Sequence, residues 1–503
     1  MTSEALHRSG LHQGTLAILA LLLSCHGSGA MAQASTVGQW SQPYSWPDVA
    51  IHLHLLPTGK ILSFSDDDDA NYVANGTRKA NFSKTYIVDM PDMQPPGAVI
   101  YLPDKTTDLF CSASSFLPDG RLLVLGGHEG KDGYGSTDVN FLSYGKDARK
   151  YRWTLDGTRP MNGGRWYASA TTLPDGEVVV VGGEITPGTI NPMPEVWQTN
   201  SGGGWRELSA ALLSVPLYSP LHVAPNGKVF MPGSAQLTRY LDTTEKGLWT
   251  NVGNRLYGSR DYGPSVMYEP GKVLIVGGGN PPTATAEVIN LNAISPVWAW
   301  TNSMHFARRH ANATILPDGK VLVTGGTSSG GFNDATNAVF AAEMWNPADG
   351  SWTVMASAQV KRVYHSSAVL LPDGRVMSAG GGRPHPIAGS DNYNVEFFSP
   401  PYLFKGARPR ITSAPNHVRY GEVFSVKTPD AASITSVTLV KLSTVTHTFN
   451  MGQRLNRLTF IKTRDAINVT PPSDRRIAPP GHYMLFLLNS AGVPSIAEII
   501  QIT

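Results

Sequence analysis

A thiol, phenols and imidazoles recur at one register of this sequence. Counted seven residues back from the proline of a recurring turn, the chain carries Ala50, Cys111, Tyr167, Tyr218, Gly263, His310 and His365. Tyr262 and Tyr364 stand one residue earlier in two of the copies. Core packing would not choose a ring of one thiol, two phenols and two imidazoles. Any one of them alone is ordinarily structural, a buried Tyr or His bonded to backbone. Their coincidence at one register is what points to chemistry. Imidazole nitrogen and phenolate oxygen together suit copper(II), which favours tetragonal N,O surroundings. Zinc would call for Cys or carboxylate ligands at short spacings, and no such pair occurs.

The thiol is singular. The chain has 2 Cys, and Cys25 falls in a segment that reads as a secretory signal. Arg8 precedes a short apolar run, Leu16–Leu23, and Ala30-Met31-Ala32 is a small-x-small cleavage site. The run is too short to span a bilayer. Residues 1–32 are therefore read as a signal peptide, which makes the protein secreted, extracellular or periplasmic. Leu22-Leu23-Ser24-Cys25 loosely resembles a lipoprotein box that would anchor Cys25, but cleavage after Ala32 is the better match. The mature chain then keeps one thiol, Cys111. An unpaired Cys in an exported protein is either a buried small hydrophobe or a partner in covalent chemistry with something other than Cys.

The repeat must position these groups. Its copies are LPTGKILSFSD, LPDGRLLVLGG, LPDGEVVVVGG, APNGKVFMPGS, EPGKVLIVGGG, LPDGKVLVTGG and LPDGRVMSAGG, with prolines at 57, 118, 174, 225, 270, 317 and 372. Each reads as a strand, a tight turn and a second strand. Asp-Gly or Asn-Gly supplies the positive φ that such a hairpin needs. The period is that of kelch repeats, one four-stranded propeller blade each. Seven copies predict a seven-bladed β-propeller over residues 33–402. Equivalent positions of successive blades circle one axis at one end, so the ring residues can converge.

After Phe397-Phe398-Ser399-Pro400-Pro401 the repeat stops. Residues 403–503 alternate as short strands punctuated by Pro, Gly and Asn, which predicts an immunoglobulin-like β-sandwich and an all-β chain. With 16% charged residues and a net charge of +2 over 503 residues, nothing calls for nucleic acid or an anionic membrane as partner. No later segment is long and apolar enough to span a membrane. Asp66–Asp69 reads as a solvated loop. His52 and His54 share one strand face and read as ordinary strand residues, with no third ligand near. Asn75, Asn81, Asn312 and Asn468 head N-x-S/T sequons.

With these residues in place, the chain resembles the copper-radical oxidases, the family of galactose oxidase and glyoxal oxidase. The resemblance runs from the first blade to the C-terminus. It rests on LFCSASSFLPDG around Cys111, GGRWYASATTLPDG around Tyr167, VYHSSAVLLPDGRV around Tyr364 and His365, VTHTFNMGQR around His447, and HYMLFLLNSAGVPS near the end. It implies that Tyr167 is a copper ligand cross-linked to the sulfur of Cys111, forming a Cys-Tyr thioether radical cofactor. It implies that Tyr364 is an axial ligand and base, and that His365 and His447 are the imidazole ligands. His447 would come from the C-terminal domain on a hairpin along the propeller axis. His482 occupies a position that is aromatic in the family and is read as structural.

The implied reaction takes a primary alcohol or aldehyde, or a carbohydrate, with O2 to the aldehyde or acid plus H2O2, in a monomer. Two electrons must leave the substrate and one copper accepts one. A thioether-substituted phenol is easier to oxidise than a plain one, so it can hold the second hole. Two departures argue against galactose. The Trp that covers the thioether in galactose oxidase is replaced at Ile185, leaving Trp46 as a candidate cover. The N-terminal sugar-binding domain is also missing ahead of the first blade. The competing reading is a non-catalytic kelch propeller for adhesion or carbohydrate binding, which gives no reason for Cys111, Tyr167, Tyr364, His365 and His447 to coincide with the family's ligands.

Overall fold

Each turn of the repeat folds as the hairpin between the two innermost strands of a blade. Ala113–Phe116 pairs with Leu122–Leu125, Ser169–Thr172 with Val178–Val181, and Ser366–Leu370 with Val376–Gly380. In the computed structural model, which describes residues 32–65, 83–90, 97–104, 106–144, 150–382 and 391–503, seven such hairpins build seven blades. The signal-peptide reading (Ala32 apart), Cys25, Asp66–Asp69, Asn75 and Asn81 lie outside the described residues. Five blades between residues 113 and 357 are antiparallel four-stranded sheets. The last blade takes its outer strands from the start of the chain, where Gln39 pairs with Ser399 and Tyr44 with Val395. Neighbouring blades cover both faces of the inner strands, so Val178–Val181 and Leu122–Leu125 are buried throughout.

The C-terminal strands join in one seven-stranded path that folds back on itself as a nearly closed sandwich. Val437, Leu439, Tyr483, Leu485 and Leu487 fill its interior. The alternate residues Val440, Met484, Phe486 and Leu488 join the propeller core. The period-2 alternation of strands thus serves two cores at once. This domain caps the turn end of the propeller. A Cβ at Gly120, Gly176 or Gly319 would meet His482, Pro480 or Arg457 respectively. From this cap a hairpin, Thr444–Thr446 with Phe449–Met451, pairs with the first blade's innermost strand His52–Leu55. Asn312 is buried on its strand and donates to Ser366 Oγ at 2.9 Å, which leaves no room for a glycan there.

A buried ion-pair clamp recurs where the inner strands of four blades begin. Arg165, Arg260, Arg308 and Arg362 pair with Glu195, Glu287, Glu343 and Glu396. Each guanidinium also donates to a carbonyl of the repeat's glycines, Gly182, Gly277, Gly325 and Gly380. In the sequence the pattern shows as an Arg two or three residues before the ring position. Burial pulls Arg362 down to about 10, against the opposing pull of Glu396. Removing one partner strands a buried charge. Glu396→Ala should therefore lower unfolding free energy by about 3–5 kcal/mol, read by chemical denaturation. An unchanged denaturation midpoint would remove the clamp from the account of why this end of the propeller holds its shape.

Candidate metal centre

In six of the seven blades the ring residue, at or just ahead of the start of the inner strand, has a left-handed backbone. Cys111, Tyr167, Tyr218, Tyr262, His310 and His365 have φ of 61, 63, 46, 52, 56 and 65°. Non-glycine residues pay roughly 1–3 kcal/mol each for such conformations, which persist only where the surroundings enforce them. Here backbone hydrogen bonds lock the ring from blade to blade. Tyr167 N–H donates to the Cys111 carbonyl at 2.8 Å, Tyr218 N–H to Tyr167 at 2.9 Å, and His310 N–H to Tyr262 at 3.2 Å. Counting from the proline gave Gly263, but the ring member of the fifth blade is Tyr262. That blade's turn is one residue shorter, with a bulge before Glu269, so Met267 pairs with Val273 as Ile315 pairs with Val321.

The axial hairpin is strained in the same sense. Its tip is His447 and Thr448, with φ of 51 and 75°. Two residues at positive φ make the tight turn that usually takes Asn-Gly, and a β-branched Thr there is an outlier. The tip is held by Thr448 N–H donating to the Ser366 carbonyl at 2.9 Å. That bond docks it beside His365.

The hairpin and three blades bring the expected residues together. Tyr167 Oη and Tyr364 Oη touch through a short hydrogen bond. The His365 and His447 ring centres are 4.6 Å apart, and Tyr167 lies 4.6 Å from His447. Tyr364 stacks on His365 at 3.8 Å. Cys111 Sγ lies 3.6 Å from His447 Nε2 and is in no disulfide. All five residues are buried. Burial pushes the Tyr167 and Tyr364 phenols well above their ordinary range, with smaller contributions from Cys111 to Tyr167 and from Tyr262 to Tyr364. Burial, followed by the neighbouring His365, holds His447 well below its ordinary value.

Neutral imidazoles and phenols that cannot ionise by themselves suit a cation, which reverses the local preference and stabilises phenolate. Among the described residues no three His, Cys, Asp or Glu side chains gather as a metal site. A metal held here would therefore use phenol oxygens beside imidazole nitrogens, and that donor set fits copper(II).

Other expectations are corrected. Trp46 does not cover Tyr167. Its indole donates to Ser63 Oγ at 2.9 Å, and it packs in the first blade's core. The cover is Trp166, whose ring centre lies 3.9 Å from that of Tyr167, with His128 stacked beyond it at 6.0 Å. Trp166 stands in the quoted motif immediately before Tyr167, and adjacency in sequence was the signal. His52 is also nearer the chemistry than its strand suggested, edge-on to His447 at 5.7 Å. His482 lies at the opposite end, against the Gly120 turn. Beside the ring opens a cavity of about 270 Å³ lined by Leu217, Tyr218, Asp261, Tyr262, Phe332 and Phe449. Arg309 ties the Asp261 carboxylate to its wall.

The comparisons with known proteins agree with this geometry. A family model described as glyoxal oxidase N-terminus matches residues 102–233 and 280–402, and one described as galactose oxidase-like, early set domain matches residues 408–502. Galactose oxidase of Gibberella zeae is 31% identical over 435 residues, covering 79% of this chain. The chain spans 61% of that relative's length. Aldehyde oxidase GLOX of Vitis pseudoreticulata is 32% identical over 456 residues, covering 79% of this chain and 82% of the relative. A solved fungal alcohol oxidase in complex with copper superposes with a TM-score of 0.84 at 27% identity, covering 93% of this chain and 100% of that one. With its propeller, its capping domain and its buried phenol–imidazole–thiol set, the chain belongs to the family of the galactose and glyoxal oxidases.

Proposed function

We propose that the protein is an exported copper-radical oxidase that converts a small primary alcohol, or a small aldehyde as its hydrate, with O2, to the aldehyde or acid and H2O2. The observation that carries this reading is the contact of Tyr167 Oη with Tyr364 Oη inside a buried set completed by His365, His447 and Cys111. Residues 1–32 serve as signal peptide, 33–402 as the catalytic propeller and 403–503 as the domain that delivers His447. The chain acts as a monomer.

Tyr167, Tyr364, His365 and His447 hold the copper. When bound, copper supplies a one-electron acceptor and a Lewis-acidic position for the substrate oxygen. Tyr364 Oη takes the substrate's hydroxyl proton. Tyr167, once joined to Cys111 by a thioether, would hold the second oxidising equivalent and accept the hydrogen of the adjacent carbon. Trp166 covers the Tyr167 ring and keeps water from it. The substrate loses two electrons and two protons, and O2 gains both pairs as H2O2.

One copper per chain is expected in purified protein, and alanine at His365 or His447 should remove most of it. Full copper content in His447→Ala would place the metal elsewhere. The cavity beside the ring offers mainly aromatic and aliphatic walls, with Asp261 already engaged by Arg309. A sugar's hydroxyls would find few partners there, and unpaired polar groups are costly. In a peroxide-coupled assay, small aldehydes or simple primary alcohols should exceed galactose by about tenfold or more in kcat/KM. A preference for galactose would overturn this substrate class.

A further inference from the structure

His52 touches the centre through two polar contacts, although no ligand role claims it. Its Nε2 accepts the Cys111 N–H at 3.2 Å. Thr446 Oγ lies 3.4 Å from the same nitrogen and 2.6 Å from His447 Nδ1. The His52 ring is fully buried and stacks on Phe64 at 4.3 Å with an interplanar angle of 11°, which fixes its plane.

One assignment of protons satisfies these contacts and leaves His447 Nε2 free for a metal. An amide N–H can only donate, so His52 Nε2 carries the lone pair and Nδ1 the proton. Both distances to Nε2 are long for hydrogen bonds, as suits one lone pair shared by two donors. Thr446 has a single hydroxyl proton. Directed at His52, it cannot also serve His447. The 2.6 Å contact is then His447 Nδ1–H donating to Thr446 Oγ, which leaves His447 Nε2 bare. The Tyr218 hydroxyl donates to the Ser112 carbonyl at 3.2 Å and accepts from Thr446, so the Thr446 proton lies towards Tyr218 and His52 and away from His447.

We propose that His52 is a positioning residue of the metal centre. Through Thr446 it fixes the His447 tautomer that presents Nε2 to copper, and through the Cys111 N–H it holds the cross-linking cysteine in its left-handed conformation. The proposal rests on the ligand role given to His447 above. Partners that orient a ligand imidazole are typically worth about 10–100-fold in metal affinity.

The test is copper(II) affinity by chelator competition, together with the electron paramagnetic resonance spectrum of the loaded protein. Neither requires turnover. His52→Leu removes the acceptor and should weaken copper binding by about 10–100-fold, with altered nitrogen hyperfine structure. His52→Gln restores an acceptor and should recover most of the loss. Thr446→Val breaks the relay by a near-isosteric change that leaves His52 and its Phe64 stacking in place, so it carries the test if His52→Leu does not fold. It should match the His52→Leu loss, and Thr446→Ser should recover it. Unchanged affinity and spectrum in folded His52→Leu or Thr446→Val overturns the proposal. So does an equal loss in His52→Gln and His52→Leu, which would make the role one of packing. If His447→Ala keeps its copper, the ligand reading itself has failed. If His447→Ala loses copper while the His52 and Thr446 variants keep it, only the relay has failed.

Discussion

Copper loading in air should lower the intact mass of the mature chain by about two units, the two hydrogens lost when a covalent side-chain link forms. The titratable thiol should vanish in the same step. Cys111 and Tyr167 open neighbouring inner strands, joined by the 2.8 Å hydrogen bond from Tyr167 N–H to the Cys111 carbonyl, and they pack in one buried cluster. Forming the carbon–sulfur bond releases the thiol hydrogen and one ring hydrogen, and O2 accepts both with two electrons as H2O2. Peptide mapping should then join the fragment holding Cys111 to that holding Tyr167. Cys111→Ser should still bind copper but lose about a thousandfold in activity, or roughly 4 kcal/mol of barrier, because a plain phenol is harder to oxidise. A thiol that stays titratable in fully copper-loaded, aerated protein would defeat the radical reading and return the propeller to the class of binding modules.

Tyr364→Phe should lower kcat by about 10²–10⁴, the usual contribution of a positioned base, while most of the copper stays on Tyr167, His365 and His447. The variant also has a proton-counting signature. Burial raises Tyr364 well above the ordinary phenol range, so the metal-free protein holds that proton throughout the physiological range. Ligation must displace it, because ligating groups bind deprotonated. Copper loading of the parent at constant pH should therefore release one more proton than loading of Tyr364→Phe. Equal release, with kcat unchanged, would move the base elsewhere.

The propeller was legible because its signal is repeated. Seven copies of one turn chemistry compensate for the weakness of any single copy, and Cys111, Tyr167 and His365 share a register set by that turn. The same logic explains where the count slipped. The short Glu269-Pro270-Gly271-Lys272 turn displaced the fifth member by one residue, and only strand pairing identifies Tyr262. His447 belongs to no repeat, and its place on the axis depends on pairing with His52–Leu55, far away in sequence. Local pattern carries no trace of that contact, so the family motif alone pointed to it. The family pattern places the covering Trp at Ile185 and so gives no reason to look to Trp166. The structure supplies the cover from the neighbour of Tyr167 itself. His52 read as a strand residue, which it is; its link to the centre runs through Thr446 and the Cys111 backbone.

The axial hairpin also imposes a schedule on the growing chain. His52 meets Thr446 across 394 residues of sequence, and the opening strand at Gln39–Trp40 meets the last blade only at Phe398 and Ser399. Contacts this distant bear the full entropy of closing long loops and make folding slow. Blades two to six can close on their own sheets as they emerge, the last closes once residues 394–399 reach the opening strands, and the first receives its axial hairpin only when the C-terminal domain exists. A nascent chain that ends before residue 447 lacks one of the four donors proposed for copper. On that ligand set, the complete four-donor site can form only after synthesis and ring closure are finished.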